Sequence, residues 1–198
     1  MDYDIKLSKQ FNDIAVIDYG IVKGNNKIVF TKAGQNGSMY GYENKYLRIA
    51  HNLHSKYGYT VICASNPFDG NNPLDTDFSV VEDYCKENGF DDYEIYYFGH
   101  SNGARIGITW GYQYPRIKKM VLVNSPIFIN FHSLKEGLIN ISDKKIFLVY
   151  GEYDQSINYT ELIKPLLNDN IKLEIVKGAD HDFTNMLDEF MELPDKYF

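Results

Sequence analysis

Short apolar runs alternate with longer amphipathic stretches along most of the chain. Runs such as KIVFT, YTVICA, EIYYF and KIFLVY are rich in β-branched and aromatic residues, and turn-forming residues separate them from the stretches between. Strands that are apolar on both faces are typical of a parallel sheet that helices cover on both sides. The pattern therefore predicts an α/β protein, a three-layer α/β/α sandwich around a mostly parallel sheet.

The boundaries of these elements follow from the period of the pattern and from its breakers. We predict strands over residues 3–7, 14–22, 27–31, 59–64, 94–98, 119–123, 145–150 and 171–177. The first two are expected to pair in an antiparallel arrangement, with a turn at Asn25-Asn26 after the second. We predict helices over residues 42–57, 77–88, 102–114, 159–168 and 182–193. Pro165 is expected to shorten or kink the fourth helix, because proline lacks a backbone N–H.

Composition and charge restrict the domain organisation and the partners. The chain has 198 residues, of which 44% are hydrophobic and 24% charged, and it shows no internal repeat or linker. Residues 1–198 are therefore expected to form one domain. A net charge of −7 without a Lys/Arg cluster would repel phosphate-rich partners, so no nucleic acid and no anionic membrane surface is expected as a partner.

Targeting and metal-binding patterns are not recognised in the sequence. The start Met1-Asp2-Tyr3-Asp4 is acidic, unlike a signal peptide, and no apolar run approaches the ~18 residues that span a bilayer. We therefore expect a cytoplasmic protein without membrane insertion. Cys63 and Cys85 form no C-x-x-C pair and have no metal-type ligand close by in sequence. No metal site, no cofactor and no disulfide framework is expected.

The five-residue run Gly99-His100-Ser101-Asn102-Gly103 carries the strongest chemical signal. A G-x-S-x-G match alone is weak, but this one lies between a predicted strand and a predicted helix. In that position the serine occupies a sharp turn, and only a glycine two residues before it and another two residues after it leave room for the adjoining strand and helix. We therefore predict Ser101 as a nucleophile, with Gly99 and Gly103 as the glycines of the turn.

A nucleophilic serine needs a base and an acid that orients the base. His181 follows the strand predicted over 171–177, and Asp154 follows the strand predicted over 145–150, in the chain order Ser, Asp, His. Glu152 is the alternative acid, because it lies even nearer to its strand. The sequence thus predicts catalytic roles for Ser101, Asp154 and His181. We expect His100 to support the turn at Ser101 through a hydrogen bond.

An oxyanion hole requires two backbone N–H groups. The residue after the nucleophile, Asn102, supplies one of them, and the loop after an earlier strand supplies the other. The Gly-rich loop Gly34-Gln35-Asn36-Gly37 follows the strand predicted over 27–31, and Gln35 is the expected donor by position. The loop does not resemble a phosphate cradle, because no G-K-[ST] follows.

These motifs together carry a resemblance to a known family. AGQNGS, GHSNGA, YGEYD and GADHDF each follow a predicted strand, and with them the chain resembles the α/β-hydrolase superfamily over nearly its whole length. The resemblance implies an eight-stranded, mostly parallel sheet and an acyl-enzyme mechanism. Two features depart from the family: Ala33-Gly34 stands where His-Gly is usual, and residues 126–143 leave room for a short helix but no substantial cap.

The resemblance implies an open site and a reaction class. We expect Phe128, Phe131 and His132 to border the substrate. The expected activity is a serine hydrolase that cleaves a carboxylic ester or thioester of a small or medium acyl substrate. The same three side chains would also serve amide or peptide hydrolysis or acyl transfer, and a non-catalytic binding module on this fold is a further alternative.

Overall fold

The apolar runs form strands of one sheet. A computed structural model describes residues 1–67, 70–141 and 143–198, so parts of the predicted loop 65–75 and of segment 126–143 lie outside the described residues. The strands are β1 (Ile5–Gln10), β2 (Val16–Val22), β3 (Asn25–Lys32), β4 (Tyr59–Ala64), β5 (Glu94–His100), β6 (Ile117–Val123), β7 (Lys145–Gly151) and β8 (Ile171–Val176). In the described part of the chain these eight strands lie in the order β1-β2-β4-β3-β5-β6-β7-β8.

Only the first two strands interrupt the parallel arrangement. β1 pairs antiparallel with β2, and β2 pairs antiparallel with β4, whereas all pairs from β3 to β8 are parallel. The carboxyl ends of β3, β5, β6, β7 and β8 therefore meet at one edge of the sheet. In open α/β sheets this edge is where functional groups are placed.

Helices cover both faces of the sheet. They are α1 (Lys45–Tyr57), α2 (Leu74–Glu87), α3 (Asn102–Trp110), α4 (Phe131–Asn140) and α5 (Leu187–Tyr197). α1 and α5 pack on one face, and α2, α3 and α4 pack on the other. Neighbouring residues of the central strand β5 show the division, because Tyr97 belongs to the core under α3 and Phe98 to the core under α5. The predicted three-layer sandwich is confirmed.

Several predicted boundaries are wrong. β1 ends at Gln10 and not at residue 7, α2 begins at Leu74 and not at residue 77, and α3 ends at Trp110 and not at residue 114. The turn placed at Asn25-Asn26 is instead part of β3, which begins at Asn25. Residues 159–168 form two 3-10 segments, Ile157–Leu162 and Lys164–Leu166, with Pro165 inside the second. Pro165 has no N–H to donate to a carbonyl of the preceding turn, and this favours the break between the two segments.

The predicted helix 182–193 begins later than expected, at Leu187. Phe183 and Asn185 have positive φ angles of 58° and 60°, which a right-handed helix does not allow. The Asp180 carboxylate instead accepts hydrogen bonds from the backbone N–H groups of Asp182 and Thr184. These bonds stabilise a turn in place of the first helical turn.

A buried ion pair lies beneath the carboxyl edge of the sheet. Lys32, the last residue of β3, donates from Nζ to Oδ1 of Asp77 in α2 at 3.0 Å, and the Tyr19 hydroxyl donates to the same oxygen at 2.8 Å. Both charged side chains are fully buried. Burial raises the pKa of Asp77 and lowers the pKa of Lys32. The pair fixes the end of β3, from which the Gly34 loop departs.

Among the residues described, no helix combines the length and the apolar character that crossing a bilayer requires.

Candidate active site

Ser101 occupies a strained turn between β5 and α3. Its φ and ψ are 53° and −119°, a backbone conformation that residues other than glycine rarely adopt. The Ser101 N–H donates to the carbonyl of Val123 in β6 at 2.8 Å, and the Ser101 carbonyl accepts from Arg105 in α3 at 3.0 Å. The neighbouring strand and helix hold the turn, so the side chain projects from the carboxyl edge of the sheet.

The two glycines of the motif are required by close backbone contacts. A Cβ atom on Gly99 would lie 2.7 Å from the carbonyl group of Gly103. A Cβ atom on Gly103 would lie 2.3 Å from the carbonyl oxygen of Lys32 and 2.6 Å from that of Ala33. Separations this short leave no room for a carbon atom beside backbone. The strand and helix can approach this closely only because both positions lack a side chain.

Ser101, His181 and Asp154 form a continuous chain of hydrogen bonds. His181 Nε2 lies 2.9 Å from the Ser101 hydroxyl oxygen, and His181 Nδ1 lies 2.5 Å from Oδ2 of Asp154. A carboxylate only accepts, so Nδ1 carries the proton and Nε2 is left as the acceptor for the serine hydroxyl. The structure therefore brings together the three residues that sequence order assigned to this chemistry.

The surroundings of the two ionisable groups differ. The Asp154 side chain is 1% exposed and that of His181 is 40% exposed. The second oxygen of Asp154, Oδ1, accepts from the Ser156 N–H at 2.6 Å. The hydrogen bond to Asp154 raises the pKa of His181, and desolvation opposes this shift only in part. The buried carboxylate thus favours the protonated form of a ring that is open to solvent.

Glu152, the alternative acid, has a different contact. Its Oε2 accepts a hydrogen bond from the Gly178 N–H at 2.9 Å, in the turn that follows β8. Among the described contacts, the carboxylate that reaches His181 Nδ1 is that of Asp154. Glu152 therefore braces the loop that leads to His181.

The Gly-rich loop after β3 forms a tight turn beside Ser101. The Gly37 N–H donates to the Gly34 carbonyl at 2.9 Å, and Asn36 has a φ of 56°. This is the pattern of a type II turn, with Gln35 at its second position. A Cβ atom on Gly34 would lie 3.3 Å from Cβ of Ser101, so the turn closes directly over the serine.

Two amide N–H groups at this place are available to a ligand. Among the described residues, neither the Gln35 N–H nor the Asn102 N–H donates a hydrogen bond to a backbone or side-chain acceptor. Asn102 is the first residue of α3, whose N-terminus carries a partial positive charge. The two predicted donors therefore lie next to Ser101 with their N–H groups available.

Sequence reasoning missed two buried asparagines that support the site. Asn66 binds the turn after β3, because its side chain donates to the Ala33 carbonyl at 2.9 Å and its backbone carbonyl accepts from Asn36 at 2.8 Å. Asn124 follows β6 and donates to the carbonyls of Asp180 and His181. Both residues come just after an apolar run, at the carboxyl ends of strands, and this position is the signal that could have identified them.

His100 has a different hydrogen-bond partner from the one expected. Its Nε2 lies 2.9 Å from the backbone carbonyl of His181, so the ring supports the loop after β8 and not the turn at Ser101. The reason is that His100 is the last residue of β5 and points to the face covered by α5, where it packs against Phe190. Burial lowers the pKa of His100 to about 3, and the nearby Lys45 ammonium contributes to this shift. His100 is therefore a neutral donor.

The three residues expected to border the substrate have different surroundings. Phe128 is 47% exposed and its ring centre lies 5.8 Å from that of Tyr159. Phe131 packs against the core under α3 and α4, and His132 is exposed on α4. A separate groove of about 920 Å³ lies between the start of α1 and residues 182–189. Phe128, Phe131 and His132 do not line it.

One group of described side chains has metal-type ligand atoms close together. Atoms of His100, His181 and Asp182 lie within 4.8 Å of one another. Both ring nitrogens of His181 already take part in the hydrogen bonds to Ser101 and Asp154, and Nε2 of His100 is bound to a carbonyl. This donor set does not fit a metal ion without breaking the chain of hydrogen bonds at Ser101.

Comparison with solved structures identifies the fold. No protein-family model matches the sequence, and neither does any curated protein at a significant level. Solved structures do match it. Est1E from Butyrivibrio proteoclasticus has a TM-score of 0.72 at 15% identity, with 96% of each chain covered. A dienelactone hydrolase from Anabaena variabilis has a TM-score of 0.73 at 16% identity, covering 100% of this chain and 96% of that one. The esterase Pf2001 from Pyrococcus furiosus has a TM-score of 0.74 at 17% identity, covering 97% and 88%. The chain has the α/β-hydrolase fold.

The positions of Ser101, Asp154 and His181 along the chain agree with the α/β-hydrolase fold. In this fold a G-x-S-x-G turn joins a central strand to a helix, and the acid and the histidine follow later strands. Here Ser101 follows β5, Asp154 follows β7 and His181 follows β8. Between β6 and β7, where the resemblance leads us to expect no substantial cap, the described residues form the helix α4.

Proposed function

We propose that this chain is a serine hydrolase that cleaves a carboxylic ester or thioester of a small or medium acyl substrate. The single observation that carries the proposal is the continuous hydrogen-bonded chain from the Ser101 hydroxyl through His181 to the buried Asp154 carboxylate. This arrangement lets a neutral imidazole remove the serine proton while the carboxylate stabilises the imidazolium that forms.

The first half of the proposed reaction forms an acyl-enzyme. Ser101 Oγ attacks the carbonyl carbon as His181 Nε2 takes the hydroxyl proton, and the carbonyl oxygen becomes an oxyanion. The N–H groups of Gln35 and Asn102 bind that oxyanion, and the N-terminus of α3 adds favourable electrostatics. The tetrahedral intermediate then expels the alcohol or thiol, which takes the proton from His181 Nε2.

The second half releases the acid. His181 Nε2 removes a proton from a water molecule, the hydroxide attacks the acyl carbonyl, and a second oxyanion occupies the same pair of N–H groups. Collapse of this intermediate breaks the bond to Ser101 Oγ, which recovers its proton from His181. No metal and no cofactor takes part in the proposed cycle.

Ester chemistry is favoured by some of the proteins with similar structures. Pf2001 is an esterase by name, and Est1E has also been determined with ferulic acid bound. At 14–17% identity these likenesses establish the fold alone, so the substrate class is part of the proposal. We further propose that residues 1–198 act as a single domain, with an open site bordered by α4 in place of a cap.

Labelling with a fluorophosphonate probe tests the proposal. Such a probe phosphonylates only a serine that a neighbouring base activates. We expect one adduct on Ser101 in the folded wild-type chain, located by peptide mass spectrometry. Neither the Ser101→Ala variant nor the wild-type chain unfolded in urea should be labelled. A folded wild-type chain that stays unmodified would contradict the proposal and favour a non-catalytic binding module.

A substrate panel separates the reactions that share the same three side chains. Hydrolysis of p-nitrophenyl esters of increasing acyl length, compared with matched anilides, distinguishes an esterase from an amidase. We expect turnover of the esters and little turnover of the anilides, with Ser101→Ala inactive on both. Equal rates on esters and anilides would replace the ester proposal by peptide or amide hydrolysis.

A further inference from the structure

Asn124 lies where two segments meet. One is the acid turn, residues 151–154 at the end of β7, and the other is the histidine loop, residues 177–181 after β8. Asn124 directly follows β6, its side chain is fully buried, and its φ is 50°. The side-chain Nδ2 donates to the carbonyl of Asp180 at 3.1 Å and to that of His181 at 2.8 Å. The side-chain Oδ1 accepts from the Gly151 N–H at 2.8 Å. Every hydrogen-bonding position of this amide except one acceptor lone pair is therefore in use.

The partners of Asn124 belong to the two segments that carry Asp154 and His181. Gly151 ends β7, and its carbonyl accepts from the Asp154 N–H at 3.1 Å, so it opens the acid turn. A Cβ atom on Gly151 would lie 2.5 Å from the Ala179 carbonyl oxygen, which shows how closely the two segments approach. A single side chain thus fixes the start of one segment and the backbone of the other.

His100 supplies a second donor to the same carbonyl. The His181 carbonyl oxygen accepts from Asn124 at 2.8 Å and from His100 at 2.9 Å. Because His100 is buried and neutral, its bond to this carbonyl requires the tautomer with the proton on Nε2. The backbone of His181 is therefore held from β6 and from β5, the two strands whose ends flank Ser101.

From these contacts we infer that Asn124 is a positioning residue for the base, which sets the orientation of His181 between Ser101 and Asp154. This inference rests on the proposed function and names a residue that neither the motifs nor the hydrogen-bonded chain contains. Rates of reactions in such sites are sensitive to placement, and a displacement of ~1 Å can cost about a hundredfold. Loss of the amide should therefore slow the reaction at Ser101 without a change at any reacting atom.

Two variants remove the interaction and keep the backbone conformation accessible. Asn124→Gly deletes the side chain and tolerates a positive φ. Asn124→Asp keeps the size and the acceptor for Gly151, and aspartate also tolerates this conformation. Its second oxygen would face the carbonyls of Asp180 and His181 with a repulsive contact in place of the two hydrogen bonds. Asn44→Gly is the matched control, because Asn44 is exposed, has a φ of 57° and lies outside the site.

The measurement is the second-order rate of fluorophosphonate labelling of Ser101 as a function of pH, together with the fraction labelled at completion. We expect both Asn124 variants to label completely, but at plateau rates about 10-fold to 100-fold below wild type. The pH midpoint should also shift towards acid, because a displaced His181 loses part of the Asp154 hydrogen bond that raises its pKa. Asn44→Gly should stay within about twofold of wild type at an unchanged midpoint.

The outcomes separate this inference from the proposed function. A wild-type chain that is not labelled contradicts the proposed function. A labelled wild-type chain with Asn124 variants that match its rate and midpoint contradicts the inference alone. The inference is also overturned if the variants differ only in the fraction that can be labelled, because a merely structural role changes the amount of folded protein and not the midpoint.

Discussion

The carboxylate of Asp154 and the imidazole of His181 meet at 2.5 Å, although one side chain is almost completely buried and the other is 40% exposed. The buried member has fixed partners on both oxygens, since Ser156 binds Oδ1 and His181 binds Oδ2. The exposed member is held by that hydrogen bond, by its hydrogen bond to Ser101, and by the contacts of its backbone carbonyl with Asn124 and His100. The buried Asp154 carboxylate thus orients the His181 ring, while Nε2 of that ring stays accessible to substrate.

Replacement of Asp154 by asparagine is the first prediction from this pair. The asparagine side chain would keep the shape but would no longer enforce the tautomer with the proton on Nδ1 or stabilise the imidazolium. In a serine protease the corresponding change lowers kcat about 10⁴-fold, and we expect a loss of about 10³ to 10⁴ in kcat for Asp154→Asn on p-nitrophenyl acetate. Steady-state kinetics on the purified variant measures it.

Glu152→Gln is the matched control for that substitution. Its carboxylate binds the Gly178 N–H, and the amide oxygen of glutamine can accept the same hydrogen bond. We expect kcat within about threefold of wild type, because surface substitutions of this kind change free energies by less than about 1 kcal/mol. The opposite ranking, with Glu152→Gln inactive and Asp154→Asn active, would transfer the role of the acid to Glu152.

The pH dependence of activity follows from the shift of the His181 pKa. The hydrogen bond to Asp154 stabilises the protonated ring, so the pKa of His181 lies above its ordinary value of 6.5. The base acts only when Nε2 is unprotonated. We therefore expect kcat/KM to rise with pH through a midpoint above 6.5 and to be lost below it.

The residual activity of Asp154→Asn provides the internal control for this sign. Without the carboxylate the main cause of the raised pKa is absent, so the midpoint should move to lower pH than in the wild type. A wild-type midpoint below 6.5, or a midpoint that does not respond to Asp154→Asn, would contradict the assignment of the titrating group to His181.

Local patterns explain why much of the site was predictable. An apolar strand that runs straight into G-x-S-x-G fixes the turn at Ser101 within a few residues, and the steric demands on Gly99 and Gly103 are equally local. Asp154 and His181 were found because parallel strands end at one edge, so the end of an apolar run indicates position in space.

The remaining features depend on contacts between distant parts of the chain. His100 binds a carbonyl 81 positions later, and Asn124 binds one 57 positions later, so no sequence window contains either pair. The start of the last helix was misplaced for a different reason, since the Asp180 carboxylate competes for the N–H groups of Asp182 and Thr184. Hydrophobic periodicity indicates which residues are buried. It does not indicate that a side chain will bind the backbone N–H groups at the start of a helix.

The turn at Gln35 yields a prediction about the oxyanion. Gln35→Pro removes the N–H, and proline is favoured at the second position of a type II turn, so the turn itself should persist. Loss of one oxyanion donor typically lowers kcat about 10²-fold to 10³-fold, and we expect that loss here with little change in KM. Gln35→Ala keeps the N–H and removes only an exposed side chain, so its kcat should stay within about threefold of wild type.

These two variants decide whether the backbone or the side chain of Gln35 acts. Stopped-flow or steady-state assays on an ester substrate provide kcat, and circular dichroism verifies that both variants fold. An active Gln35→Pro with an inactive Gln35→Ala would assign the oxyanion contact to the side-chain amide and not to the N–H.

Gly103 connects the stability of the fold to the geometry of the site. A Cβ atom there would lie 2.3 Å from the Lys32 carbonyl oxygen, and the buried ion pair with Asp77 holds the end of β3 in place. The strand cannot move away without breaking that pair, so Gly103→Ala should lower the free energy of unfolding by at least about 3 kcal/mol, the upper range for overpacked cores.

Gly89→Ala is the control, because Gly89 has a φ of 70° but no atom within 4 Å of an added Cβ. That variant should cost only the conformational term of about 1–2 kcal/mol. Urea unfolding curves of both variants measure the difference, and a Gly103→Ala variant no less stable than Gly89→Ala would show that α3 can move away from β3 at little cost.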